Sequence, residues 1–410
     1  MSAPRHTLES LVRTPNSLAP HYSRFRVSER LLLTGHSHQA WPDAGLDGQL
    51  EAWTDAAERI DEKWERAAQI AARFRSGFAR LLGDDADRIV PGTSTHELVV
   101  RFISALPLER RPRIVTTDGE FHTLRRQRDR LAETGHLEVV KVAALPAATL
   151  AERMIAAIDA RTAAAFVSSV LFGNARIVPN LGALAAACRG LGVELMVDAY
   201  HHLNIVPFDI EGDGLGDAFV VGGGYKYCQL GEGNAFMRIP PGRDELFPVV
   251  TGWFGEFARL AERPGSKVPY GEGIARWAGA TYDPTSHYRA ASVFDFFEEQ
   301  ALIPAFLREV SQHQVGRLIE RFDALELDPA TITRDRGVPL AHIAGFLALA
   351  SPRAGEISNA LRLRGVWTDY RGESLRLGPA PYLSDAQLDQ AMAILGEVAG
   401  ALTRAGQTRP

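Results

Sequence analysis

The chain has 410 residues, with 45 Lys and Arg against 50 Asp and Glu, a formal charge of -5 and a pI near 6.2. That mildly acidic, mixed-sign balance gives no electrostatic footing for nucleic acid or an anionic membrane, so neither is an expected partner. Its two cysteines, Cys188 and Cys228, lack metal-ligand spacing and fit reduced thiols, and Met1 to Pro15 carries no apolar signal-like run, so a cytoplasmic protein is expected.

From about Leu50 to Leu82, residues Trp53, Ala57, Ile60, Trp64 and Ala67 recur at spacings of three or four, which predicts amphipathic helix. Next, Pro91-Gly92-Thr93-Ser94-Thr95-His96-Glu97 precedes an apolar helix from Leu98 to Ile103, with Ser94 and Glu97 in a capping-box pattern. The free N–H groups and hydroxyls of such a terminus either bind phosphate or simply cap the helix. Short apolar strands at 113–115, 137–140, 165–167 and 193–197 then alternate with helical stretches such as 181–191. This alternation predicts an α/β fold, a mostly parallel sheet flanked by helices. Beyond Phe294, a helix over 294–320, strands around 341–349 and 375–377 and a closing helix over 385–402 predict a smaller α+β domain. The expected division is an N-terminal segment, 1–60, packing on the small domain, a large domain, 61–293, and a C-terminal domain, 294–410.

Lys226 lies in Gly222-Gly223-Gly224-Tyr225-Lys226-Tyr227, 28 residues after Asp198, which ends the strand 193–197. An amine in a small-residue turn and a carboxylate at a strand end suit an aldehyde cofactor with a basic ring nitrogen. Pyridoxal phosphate needs both: the amine for a Schiff base, the carboxylate to keep the ring nitrogen protonated. Phe121, in Asp118-Gly119-Glu120-Phe121-His122-Thr123, follows a strand at the edge where ligands collect in open α/β sheets; its ring stacks on a planar cofactor or joins the core. His201 and His202, with His36 and His38, raise a metal reading. Against it, adjacent residues on an extended segment point to opposite faces, and no Cys or Glu cluster completes a ligand set. Arg376, in the apolar stretch 374–379, is either an edge charge or a fork for a carboxylate.

The order of these motifs resembles kynureninase, a class-V, fold-type-I pyridoxal-phosphate family, over most of the chain from Thr34-Gly35-His36-Ser37 to the last helix. The resemblance is carried by Asp198-Ala199-Tyr200-His201, Tyr225-Lys226-Tyr227, Gly252-Trp253-Phe254-Gly255, Gly273-Ile274-Ala275-Arg276, and Arg364-Gly365-Val366 through Asp369-Tyr370-Arg371. It implies a fold-type-I transferase architecture in which Lys226 carries the cofactor, Asp198 holds the pyridine nitrogen and His201 sits beside the ring. It also implies Ser94, Thr95 and Tyr225 at the phosphate, Tyr225 relaying protons, Phe121 stacked on the ring and Ser168 lining the pocket. Trp253 and Thr281 would complete the phosphate site from the second subunit of a homodimer. Arg376 would bind the substrate carboxylate, with His36 also at the substrate.

The implied reaction is hydrolytic Cβ–Cγ cleavage of kynurenine or 3-hydroxykynurenine to alanine and an anthranilate, a step of tryptophan catabolism, with Lys226, Asp198 and Tyr225 catalytic. Several residues depart from the family pattern. Phe121-His122-Thr123-Leu124 replaces Phe-Pro-(Ser/Thr)-Asp, so an acidic group near the cofactor is expected to be missing. Leu171 replaces Asn or His, Gly35-His36-Ser37-His38 replaces Gly-Asn-Ser-Leu, and Cys228-Gln229 replaces Leu-Asn. These differences surround the substrate pocket rather than Lys226. The alternative is therefore another class-V reaction on a different amino acid, whether transamination, β-elimination or desulfuration, and a non-catalytic pyridoxal-phosphate-binding homologue is a third reading.

Overall fold

The computed structural model describes residues 5–262 and 265–407. The strands, in chain order, are β1 Leu31–Leu32, β2 Ile89–Gly92, β3 Arg113–Thr117, β4 Glu138–Val142, β5 Thr162–Ser168, β6 Glu194–Asp198, β7 Phe219–Gly223, β8 Ala235–Arg238, β9 Leu347–Ala350, β10 Val366–Trp367, β11 Asp369–Arg371 and β12 Ser374–Leu377. Seven of them form the main sheet, in the order β2-β8-β7-β6-β5-β3-β4. Neighbouring strands from β4 to β7 pair in parallel, while β8 runs antiparallel to both β7 and β2. The expected α/β architecture with a mostly parallel sheet is therefore present.

The central strands are buried on both faces because successive side chains point to opposite sides and both sides are covered. Ala165, Val167, Leu195, Val197 and Val220 join one core, which includes Phe74, Phe78 and Leu184 from helices. Phe166, Met196, Phe219 and Val221 join another, with Leu98 and Phe102. The sheet is thus sealed between helices everywhere except at its edges, and the C-terminal ends of β3, β5, β6 and β7 open onto one place.

The amphipathic run predicted over 50–82 is two helices, Ala44–Arg59 and Lys63–Leu82, broken where Ile60 takes a positive φ of 53°. Its apolar stripe also faces differently from expectation. Trp53 and Ile60 are exposed, while Gly45, Gly48 and Ala52 form the buried face of the first helix. Small residues are needed there because helix Thr285–Glu299 runs close by: a Cβ on Gly48 would meet the carbonyl oxygen of Tyr288. Likewise, the helix predicted over 294–320 is two, Thr285–Glu299 and Pro304–Ala324, separated by Ala301 at φ 55° and by Pro304, whose ring suits the first helical turn.

Toward the C-terminus, β11, β12 and β9 form an antiparallel sheet, and β1 pairs in parallel with β10, with Leu31 opposite Val366. The N-terminal segment is thereby tied to the C-terminal strands. Gln387 strengthens the tie by donating to the carbonyls of Val27 and Arg30. Of the N-terminal stretch read as lacking a signal, residues 1–4 lie outside the described residues. Among the described residues no helix is long and apolar enough to cross a membrane.

The packing of Lys63–Leu82 on Thr285–Glu299 is testable at Gly77, where an added Cβ would run into the ring of Phe294. Alanine gains up to about 1 kcal/mol of helix propensity but overpacks a buried contact at about 1–3 kcal/mol. Gly77→Ala is therefore expected to lower the melting temperature, measured by calorimetry; an unchanged or raised value would show that the ring moves aside freely.

Candidate active site

Asp198 is the last residue of β6 and pairs in register with Ser168, the last of β5. Lys226 follows β7, whose glycines let the chain pass close to its neighbours: a Cβ on Gly223 would strike the Tyr200 ring, and one on Gly224 would strike Leu230. The turn beyond Asp198 brings His201 back toward the lysine. A cavity of about 230 Å³ opens between these ends, lined by the predicted residues Ser94, Thr95, Phe121, Ser168, Asp198, His201, Tyr225 and Lys226. Eight residues spread over 133 positions of sequence are thus brought to one place.

Lys226 is only 4% exposed, and its Nζ lies 2.8 Å from Nε2 of His201 and 4.4 Å and 5.2 Å from the ring centroids of Tyr200 and Phe121. Burial pushes its ammonium well below the ordinary lysine range, opposed by the charge of Asp198 and assisted by the cations of Arg376 and Arg371. Burial raises the Asp198 carboxyl; the Tyr200 backbone N–H, 2.8 Å from Oδ1, and Lys226 pull it back down, while Glu120 pushes it further up. His201 is held neutral by burial and by the neighbouring cations, and its Nδ1 is buried without a protein partner.

The helix Thr95–Ala105 begins at the cavity, with Ser94 as its N-cap. Only half of the expected capping box forms. Ser94 Oγ accepts from the N–H of Glu97 at 3.3 Å, but the Glu97 carboxylate turns to Thr93, accepting from its Oγ1 at 2.7 Å and its N–H at 3.2 Å, and pairs with Arg101. The hydroxyl hydrogen of Ser94 stays available to donate to an anion, as do the unpaired N–H groups of the first turn.

Two residues that sequence reading passed over belong here. Tyr200 lines the cavity, its ring centroid 5.0 Å from that of Tyr225. Glu120 corrects the expectation that an acidic group would be missing. Buried in the turn after β3, it accepts from Ser168 Oγ at 2.7 Å, from the Ser168 N–H at 3.2 Å and from Thr117 Oγ1 at 2.6 Å. The acid comes one residue before Phe121 rather than three after it, a shift that motif spacing conceals. Leu124, where the family pattern has Asp, is core, and so is Leu171.

The remaining predicted residues lie elsewhere. Arg376 and His36 are brought together by Asp369: Arg376 donates to both its oxygens, at 2.8 Å and 2.6 Å, and His36 Nε2 lies 2.8 Å from Oδ1. Both side chains are buried, and neither lines the cavity. Burial alone would raise the Asp369 carboxyl, but His36 and Arg376 hold it well below the usual carboxylate range. Burial lowers His36 to about 4. Trp253 and Thr281 meet each other, Nε1 donating to Oγ1 at 3.3 Å, in a separate apolar cleft of about 700 Å³. His202 turns away toward the carbonyl of Pro207, and among the described residues no group of three or more His, Cys, Asp or Glu could hold a metal.

This set fits pyridoxal phosphate. It supplies a buried amine, a buried carboxylate for a ring N–H, aromatic faces for a planar ring, an unpartnered imidazole nitrogen and a helix N-terminus for the phosphate.

No family model matches the chain. An isopenicillin N epimerase of Streptomyces clavuligerus is 25% identical over 365 residues, covering 84% of this chain and 88% of that protein. An uncharacterized aminotransferase of Bacillus subtilis, YcbU, is 22% identical over 80% of this chain and 84% of its own length. Among solved structures, an apo cysteine desulfurase from Thermococcus onnurineus NA1 superposes with a TM-score of 0.78 at 16% identity, over 95% of this chain and 99% of the other. A C-DES mutant with glycine covalently linked to its PLP cofactor gives 0.78 at 13%, over 92% and 98%. The fold is therefore that of the fold-type-I pyridoxal-phosphate enzymes, in its cysteine desulfurase form. The sequence relatives support the class-V aminotransferase and cysteine desulfurase-like group. Neither of the two is a kynureninase, so the finer resemblance draws no support from them.

Burial gives Glu120 a raised carboxyl pKa, despite opposing contributions from Arg128, Thr117 and Ser168. A raised value means that the folded chain holds this proton where the unfolded chain has lost it, so stability falls as pH rises from about 4.3 through the folded value. Glu120→Gln removes that titration. Its unfolding free energy, measured by urea denaturation across this window, is expected to lose less with rising pH than that of the parent; parallel curves would show that Glu120 does not titrate there.

Proposed function

We propose that the chain is a pyridoxal-phosphate enzyme that labilises the Cα–H bond of an α-amino acid and completes an epimerase- or aminotransferase-type reaction. The observation that carries this reading is the buried pair of Lys226 and Asp198 on either side of one cavity, beside a helix N-terminus ready for phosphate. The two sequence relatives, an epimerase and an aminotransferase by name, point the same way.

When bound, the cofactor supplies an electron sink for the charge left at Cα. The chain does the rest. Lys226, with its ammonium destabilised by burial, is an effective nucleophile near neutral pH and afterwards a base aimed at the Cα proton. His201, neutral and 2.8 Å from Nζ, orients that amine. Asp198 holds a proton on the ring nitrogen, and the Tyr200 N–H fixes its carboxylate. Phe121 and Tyr200 would shield a bound ring from water, Ser94 and Thr95 would hold its phosphate, and Ser168 presents an oxygen whose own hydrogen is committed to Glu120. Tyr225 stands beside the lysine to relay protons.

Two other readings draw less support. Hydrolytic cleavage of kynurenine rests on the motif order alone. Desulfuration with a thiol of this chain as sulfur acceptor conflicts with Cys188 and Cys228, both buried and pushed up to about 12 by desolvation, unlike a reactive cysteine. The expected homodimer has a physical motive: Trp253 is 43% exposed beside the similarly exposed Phe257, in a cleft apart from the chain's own Lys226.

Exchange of the α-proton in deuterated water, followed by NMR over a panel of amino acids with kynurenine included, tests the reaction. The parent chain is expected to exchange at least one non-kynurenine amino acid, and Lys226→Ala to lose the cofactor's absorbance band and slow exchange by at least about a hundredfold. Anthranilate release from kynurenine without exchange of the others would replace this reading with the hydrolytic one. For the dimer, co-expressed Lys226→Ala and Trp253→Ala chains are expected to recover exchange that neither has alone; a chain that sediments as a monomer would end the shared-site reading.

A further inference from the structure

The residues that follow β5 divide between core and cavity: Leu171 packs in the core, while Val170 and Phe172 on either side of it line the cavity. Ile177 then pairs with Val170 in an antiparallel bridge, which closes the residues between them into a loop. The tip of that loop is gripped by β12. Ser374 and Arg376 lie on one face of this strand and donate to consecutive carbonyls, Oγ to that of Gly173 at 3.0 Å and Nη1 to that of Phe172 at 2.7 Å. Arg376 is itself immobilised, its side chain 3% exposed and its Nε and Nη2 both on Asp369. Two further ties reach the same loop: the Ala344 N–H donates to the Ala175 carbonyl at 2.8 Å, and Arg176 Nη2 pairs with Asp335 Oδ2 at 2.9 Å.

Held in this way, Phe172 is half-buried, and its ring meets that of Phe121 nearly edge-on, with 5.4 Å between centroids at 80°. Val170 beside it is buried. One loop therefore gives the cavity an apolar wall. The lining residues His96 and Glu232, both exposed, stand on other segments, the first turn of helix Thr95–Ala105 and the stretch before β8.

We propose that Val170 and Phe172 are the wall against which the substrate's side chain packs, that this wall selects an apolar side chain, and that Ser374 and Arg376 are positioning residues that hold it in place. A charged side chain set there would lose its water without gaining a hydrogen bond, because neither residue has a polar side chain and the carbonyls of Phe172 and Gly173 are turned to β12. An apolar one gains by covering the ring. The proposal deepens the reading above and rests on it in taking the ligand for an α-amino acid.

The test is calorimetric titration of the full chain, incubated with pyridoxal phosphate, with three acids that have no amine to react. These are 4-methylpentanoate, glutarate and 5-guanidinopentanoate, which carry apolar, acidic and basic ends; absorbance is recorded in parallel. The parent is expected to bind 4-methylpentanoate about tenfold more tightly than either of the others. Phe172→Ala is expected to remove most of that preference by weakening 4-methylpentanoate alone, and Phe172→Gln, which keeps bulk but adds an amide, to shift it toward glutarate. Ser374→Ala, at unchanged melting temperature, is expected to narrow the preference severalfold, an effect that a purely structural hydrogen bond would not have. The proposal is overturned by a parent that prefers glutarate or 5-guanidinopentanoate or binds none of the three, or by an undiminished preference in folded Phe172→Ala, Phe172→Gln or Ser374→Ala chains. A missing absorbance band counts instead against the cofactor reading, while the order of the three affinities still decides the role of Phe172.

Discussion

Holding an amine and a carboxylate together out of water is the constraint around which this molecule is arranged. Desolvation drives Lys226 toward the neutral amine and Asp198 toward the protonated acid, so each would abandon its charge without compensation. The compensation is local, from one backbone N–H and from the opposite charges of Lys226 and Asp198 themselves. Tyr200 donates its N–H to Asp198, and His201 meets the lysine nitrogen. The strands that carry the site are rigid because β5, β6 and β7 are packed from both faces. Poise of this kind at a sheet edge costs stability, and two separate cores of large apolar residues offset it.

A second polar layer lies behind the first. Glu120 takes the hydrogen of Ser168, so that hydroxyl meets a ligand only as an acceptor, and Arg128 sits behind Glu120 with its guanidinium over the ring of Phe166. On the other side Asp369 gathers His36 and Arg376. Each layer fixes both the orientation and the protonation of the groups in front of it. Of the departures from the kynureninase pattern, His36 stands in this layer and Leu124 and Leu171 are core, while Lys226 and Asp198 keep their places. This is the pattern expected when a cofactor platform is retained and the chemistry around it is changed.

Much of this was legible in the sequence, for identifiable reasons. Strands β3 to β6 are short apolar runs between helical stretches, and period and length suffice to find them. β7 was read as a small-residue turn because Gly222 and Gly223 carry no hydrophobic signal; their role is to admit Phe236 and Tyr200, a tertiary fact. The stripe from Trp53 to Trp64 predicts helix but neither the break at Ile60 nor the buried side, since glycines can face a partner helix while a tryptophan faces outward. At the site, eight of the residues that line the cavity are ones that motif order singles out. Glu120 was missed because its importance depends on a hydrogen bond across strands to a residue 48 positions away. The pairing of Arg376 with Asp369 was missed for a related reason: an isolated arginine in an apolar strand gives no sign of whether its fork is already filled.

The single oxygen of Ser94 has a consequence for how this protein should be handled. The same hydroxyl caps the helix Thr95–Ala105 through a lone pair, on a residue that lines the cavity. Were an anion to bind at this hydroxyl, its occupancy and the integrity of that first helical turn would draw on one free energy, and ligand and fold would reinforce each other. A chain purified in phosphate buffer and one purified without it would then be different thermodynamic references, and replacing this serine would also remove the cap of the helix at the rim of the cavity.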